Sequence, residues 1–221
     1  MKIDAVFSQL MGIGAGWVLW LLIGLSVLSV AIVIERSLFF YHTRINALQF
    51  RKQLKSALAA GELELVLNRL GQSLSLEACV VGAGACASCP AEAEERMAAE
   101  AQMQRLLSER YLAFLGTLGN NAPFIGLLGT VIGIIGAFGQ LEVSGGQLTA
   151  GLMANVGEAL VATAVGLLVA LPAVAAYNAF QRAIQVRLNR ADALGRELIA
   201  HMHAVATRTA ALSSAPAPGV E

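Results

Sequence analysis

Two uncharged stretches dominate what this 221-residue chain can become: Tyr111 to Leu141 and Ala159 to Gln181 each lack any Asp, Glu, Lys or Arg. A helix needs about 20 apolar residues to cross a hydrocarbon core, and each run supplies them. Ala5 to Ile34 is a third such run, built around GWVLWLLIGLSVLSVAIVI. With 57% hydrophobic and only 14% charged residues, the composition belongs to a small polytopic membrane protein, not to a soluble domain of the same length. The zero formal charge conceals segregation, because acids and bases cluster outside the apolar runs. No basic stripe of the kind that binds nucleic acid is present.

The basic flanks orient the segments. Arg36, Arg44, Arg51, Lys52 and Lys55 follow the first run, Arg105 and Arg110 precede the second, and Arg182, Arg187 and Arg190 follow the third. The link from Gln140 to Thr149 holds Glu142, Gly145 and Gly146 and no Lys or Arg. By the positive-inside rule the N-terminus lies outside and the C-terminus inside. The run after Lys2 and Asp4 is too long for a signal peptide and no small-x-small site follows it, so it is expected to stay as a membrane helix. The expected layout has a periplasmic segment and first transmembrane helix over 1–41, then a cytoplasmic helical region over 42–110. The second transmembrane helix covers 111–141, a short periplasmic loop 142–149 and the third transmembrane helix 150–181. A cytoplasmic helical tail with a disordered end takes 182–221.

Within the cytoplasmic region, Arg44 to Leu70 reads as amphipathic helix with breaks at Gly61 and Gly71. GQSLSLEACVVGAGACASCP interrupts it, and Glu92 to Arg110 resumes a helix expected to run straight into the second membrane segment. Cys79, Cys86 and Cys89 give one metal-like spacing without a fourth local ligand, so they read as small loop-compatible residues and no metal is assigned. His42, His201 and His203 read as solvated. No Ser/His/Asp set, P-loop or nucleotide fingerprint appears, so neither an enzyme nor a cofactor is expected.

Glu158 is the one acid within the apolar sequence. A charge at membrane depth costs at least about 2.5 kcal/mol, so such a residue is expected to face a bundle interior or a wet cavity. On a wheel of about 100° per residue, Asn155, Ala159, Ala162, Thr163, Gly166, Ala170, Ala173 and Tyr177 occupy the third of the helix adjoining Glu158. The preceding helix carries Gly126, Gly129, Gly133 and Gly136 at spacings of three and four, on a face that includes Thr130. Small residues allow close helix approach, so the two faces are expected to pack. Taken alone, the hydroxyls of Thr130 and Thr163 would be expected to bond their own helix backbones.

The order Pro123, Gly126, Leu127, Leu128, Gly129, Thr130, Val131, Gly133, then Glu158, Ala159, Leu160, Thr163, Gly166, Leu167, Pro172, Ala173, Tyr177, Asn178 resembles the MotA/TolQ/ExbB proton-channel family, closest to its ExbB and TolQ branches. The resemblance implies an all-α inner-membrane protein that assembles as a ring, a homopentamer, around the membrane helices of an ExbD/TolR-like single-span partner carrying the cycling Asp. It implies that Glu158, Thr163 and Thr130 border the proton path, and that Pro123, Gly126, Gly129, Gly133, Gly166 and Pro172 shape the pore helices. Work would pass to a TonB/TolA-like protein or to gliding machinery. The competing expectation is a non-conducting helical scaffold for other subunits.

The topology is directly testable in a background lacking the three native thiols. A cysteine at Ser144 should react with a membrane-impermeant reagent added to intact cells, whereas Cys86, restored alone, should not. The opposite pattern would invert the orientation.

Overall fold

A computed structural model describes residues 16–60, 75–143 and 150–213. These form six helices and, among the described residues, no strand: α1 Gly16–His42, α2 Ala47–Ala60, α3 Leu76–Ala85, α4 Pro90–Glu109, α5 Leu112–Val143 and α6 Ala150–Ser213. The breaks expected at Gly61 and Gly71 and the Gly145–Gly146 turn lie outside the described residues. Helices α1, α5 and α6 are long and apolar enough to cross a membrane, so the three-span all-α architecture expected from the charge-free runs holds.

The chain divides into two compact units. The first takes the stretch up to Ser37 together with Tyr111–Phe180, and the second takes Leu38–Arg110 with the chain from Gln181 onward. In the first unit Val18 and Leu22 of α1 pack with Leu118, Ala122 and Ile132 of α5 and with Val169, Ala170 and Ala173 of α6. Large apolar side chains point the other way: Phe124 is 68% exposed, and Leu168 and Leu171 are each 70% exposed. A soluble domain would have to hide such residues, whereas a bilayer solvates them.

What holds α5 to α6 is the absence of side chains between them. A Cβ added to Gly126 would stand 2.8 Å from the carbonyl oxygen of Ala162 and 3.0 Å from the Cα of Thr163. One added to Gly166 would stand 2.7 Å from the carbonyl oxygen of Ala122. At Gly129 and Gly133 the obstruction is the Cβ of Ala162, at 2.7 Å, and of Ala159, at 2.5 Å. The seam runs further than the sequence suggested at one end, because Gly119 meets Val174 and Gly116 meets the ring of Tyr177. It stops sooner at the other: a Cβ on Gly136 would meet no atom of the described residues within 4 Å, so among them this glycine has no packing partner.

The second unit is a helical cluster around Leu54 and Leu58 of α2, Leu76, Val80 and Val81 of α3, Met97 of α4 and Leu194 and Leu198 of α6. On α2, the buried pair recurs every four residues while Arg51, Lys52 and Lys55 are exposed, as an amphipathic helix requires. Arg51 and Lys55 reach Glu197 of α6, a surface pairing of small energetic value.

Two local expectations are corrected here. The stretch read as an interruption contains α3: Ser75 caps it by accepting the N–H of Ala78 at 3.3 Å, and Leu76, Val80 and Val81 are buried, so tertiary packing overrides the weak helix propensity of its glycines and Cys79. Nor does α4 run into α5. Arg110 leaves the helix with ψ 132° and Tyr111 follows with φ 64°, a left-handed conformation that breaks the axis at a non-glycine residue. The Tyr111 ring lies under the guanidinium of Arg36, 5.6 Å from centroid to Cζ. Arg36 itself is only 3% exposed and donates hydrogen bonds of 2.6 and 2.7 Å to the Glu35 carboxyl.

The seam predicts opposite outcomes for two one-methyl substitutions. Gly126→Ala presses on backbone atoms that cannot swing away and should lower the thermal stability of the lipid-embedded protein, by about 1–3 kcal/mol in the usual range for overpacking. Gly136→Ala should leave the melting curve where it is.

Candidate functional site

The residues singled out from the sequence fall on α5 and α6 in the first unit, and the fold sorts them into three environments. Thr163 is in the seam. Its hydroxyl donates to the carbonyl oxygen of Gly126 at 3.1 Å, so it bonds the neighbouring helix instead of its own. Only the lack of a side chain at Gly126 lets the two backbones come this close. In a medium without water, an interhelical hydrogen bond of this kind is worth about 0.6–2 kcal/mol.

Thr130 behaves differently. It is buried, 9% exposed, and its hydroxyl donates to the carbonyl of Leu127 at 2.6 Å within α5. That is the self-satisfied arrangement usual for a membrane threonine. The antiparallel pairing of Ala162 with Gly129 and of Ala159 with Gly133 sets Thr163 at the level of Gly126 and Glu158 near that of Gly133. Five residues of helix separate Glu158 from Thr163, about 7.5 Å along the axis. The three side chains therefore occupy successive levels and do not form one cluster.

Glu158 lies at the border of the seam, not inside it. Ala159 and Ala162 beside it are completely buried, yet Glu158 itself is exposed in the single chain. Of the two settings expected for this acid, a bundle interior and a wet cavity, the first is not found within one protomer. The carboxyl reaches toward α1, where a Cβ on Gly16 would come 3.0 Å from Oε1 of Glu158. Gly16 thus leaves room for the carboxyl, a role invisible in the sequence because the two positions lie far apart in the chain. Pro123 and Pro172 sit inside α5 and α6, the first half-buried and the second exposed. Neither terminates its helix.

The cysteines are dispersed over α3 and its exit. Cys79 is half-buried within α3, and burial pushes its thiol up from the ordinary range, with Glu100 adding to the rise. Cys86 and Cys89 are exposed free thiols at the end of α3 and the start of α4. The carboxyl of Glu92, one turn into α4, is held below the usual range by the backbone N–H of Ser88 and by Arg96, as suits a capping acid.

A family model described as the MotA/TolQ/ExbB proton channel family matches residues 64–193, more than half of the chain. An ExbB-like biopolymer transport protein of Helicobacter pylori is 39% identical over 100 residues, which are 45% of this chain and 67% of that protein. The biopolymer transport protein ExbB of Neisseria gonorrhoeae is 46% identical over 84 residues, 38% of each chain. The Tol-Pal system protein TolQ of Pseudomonas aeruginosa is 39% identical over 95 residues, 43% of this chain and 41% of the relative. The matches thus span from 38% to 67% of the length of these three relatives.

The interhelical bond of Thr163 can be tested by its chemistry. Thr163→Ser keeps the hydroxyl and should retain wild-type stability in lipid to within about 0.5 kcal/mol, whereas Thr163→Val keeps the shape, loses the bond and should cost about 1 kcal/mol. Thermal unfolding in nanodiscs distinguishes them, and equal melting of the two variants would remove the bond from the account.

Proposed function

The chain belongs to the MotA/TolQ/ExbB proton channel family, and on that premise we propose that it is an inner-membrane channel subunit which, with an ExbD/TolR-like single-span partner, converts the proton motive force into mechanical work on envelope machinery. Copies of the chain, five in this reading, form a ring around the partner's membrane helix. The N-terminus is periplasmic and the C-terminus cytoplasmic, with 42–110 and the tail from 182 on the cytoplasmic side. The energised protein is of TonB or TolA type, or belongs to gliding machinery.

The observation that carries this reading is the exposure of Glu158 on a membrane helix at the edge of a seam into which Ala159 and Ala162 are fully buried. Left against lipid, that carboxylate would be costly; against a partner helix in a wet lumen it has a use. In the proposal, the α5–α6 seam acts as the rigid wall and Glu158 stands on its lumen edge. Thr163, one level away, holds the wall together and lends the path a polar oxygen. The proton itself is carried by the partner's Asp, and Glu158 and Thr163 set the electrostatics around it. A membrane potential supplies about 2.3 kcal/mol per charge per 100 mV, so a few protons suffice for a mechanical step.

One observation favours the competing scaffold reading: Thr130 donates its hydroxyl hydrogen to its own helix, leaving a path only the oxygen's lone pairs. The two readings separate on flux. In vesicles containing the chain and its partner, Glu158→Ala should reduce proton flux per assembled ring about tenfold or more while leaving assembly intact. Unchanged flux per ring would remove Glu158 from the mechanism, and loss of the ring in proportion to flux would make the residue structural.

A further inference from the structure

The second unit buries an acid that the proposed channel does not use. Glu77, in the first turn of α3, is 2% exposed, lies between the core residues Leu76 and Ala78, and its Oε2 has no hydrogen-bond partner among the described residues. A carboxylate in such a place is costly unless something compensates its charge, while the neutral acid fits. Arg187 of α6 lies within electrostatic range, but its guanidinium is engaged elsewhere. It donates to the carbonyl of Phe40 at 2.7 Å and to the hydroxyl of Thr43 at 2.8 Å, and it stacks on the Phe40 ring at 5.0 Å. The Thr43 hydroxyl in turn donates to the carbonyl of Phe39 at 2.8 Å. Arg187 therefore closes the carboxy-terminal end of α1, where carbonyls lack helical partners and a cation is favoured.

The geometry points to Glu77 as a proton-binding site of the second unit that decides which partner Arg187 holds: the end of α1 when the carboxyl is neutral, the Glu77 carboxylate when the proton leaves. Among the described residues, the other charged groups around the pair are these. Arg190 on α6 acts on both members, and Arg44, just beyond α1, acts on Arg187. On α4, Glu100 acts on Cys79 of α3, and on α2, Arg51 and Lys55 are paired with Glu197. Burial is the largest influence on Glu77 and pushes its carboxyl above the ordinary range; the backbone of its own turn, Arg187 and Arg190 oppose the rise. The folded state thus binds this proton more tightly than the unfolded chain. The associated stability is complete below the unfolded carboxyl range and is lost as pH rises through the raised native value. The site stands independently of whether Glu158 conducts.

Hydrogen–deuterium exchange of the full-length chain in lipid nanodiscs, followed over the segment Phe40–Asn46 and corrected for intrinsic exchange, tests this. Wild-type protection should fall about tenfold as pH rises through the Glu77 titration, and Glu77→Gln should keep the protected level throughout. Equal and pH-independent protection in both proteins would overturn the switch. Isotope-edited infrared spectroscopy of the wild type reads the same group without a substitution: a protonated Glu77 band that disappears in step with the loss of protection supports the site. A carboxylate already present at the lowest pH where the chain stays folded would overturn it.

Discussion

Two helix backbones in contact without intervening side chains are the constraint on which the membrane unit depends. At Gly126 and Gly166 the obstruction to an added methyl is backbone itself, so no rotamer change makes room. Close approach brings the Thr163 hydroxyl within bonding range of a carbonyl on the other helix. It also fixes the rotation of α6: with Ala159 and Ala162 turned fully into the seam, the preceding residue, Glu158, must emerge at its edge. Dispersion between close-packed backbones replaces the hydrophobic effect, which has little to offer between helices already surrounded by hydrocarbon. The bulky residues Phe124, Leu168 and Leu171 are consequently free to face outward.

The second unit is built on the opposite logic. Its core is aliphatic, its helices are amphipathic, and its exposed charges pair across and along helices, as in the Arg51–Glu197 contact and the Arg96–Glu92 and Arg196–Asp192 pairs. Helix α6 serves both schemes in one continuous run, small residues first and amphipathic turns later. Glu77 stands out in this unit because it puts a titratable carboxyl where the core around it is apolar.

Much of this was legible in the sequence, for identifiable reasons. Charge-free runs announce membrane helices because the cost of burying charge in hydrocarbon leaves few alternatives, and the glycine spacing on α5 announced a close contact because few other pressures place small residues at three and four. The wheel that put Thr163 with Ala159 and Ala162 was correct in rotation, but it could not tell which edge of the seam a neighbouring element covers. Hence Glu158, expected at a bundle interior or a wet cavity, is exposed in the single chain. Local chemistry misled at α3, where two glycines and a cysteine gave no helical signal and the Ser75 cap emerged only with the structure. Nothing in SERYLAF announces the break at Tyr111, which contains neither Gly nor Pro and is accompanied by a cation–ring contact with a residue of α1. Long-range relations such as Gly16 with Glu158, or Arg187 with Phe40, carry no sequence signature at all.

The central claim is that the seam turns Glu158 toward a protein partner and turns the bulky side chains toward lipid. Photo-crosslinking in native membranes tests it most directly, with a photoreactive amino acid placed at Glu158 in one strain and at Leu168 in another. The account predicts that position 158 captures a small single-span protein of the ExbD/TolR type and that position 168 captures lipid. Lipid adducts at 158, or partner capture at 168 alone, would contradict it.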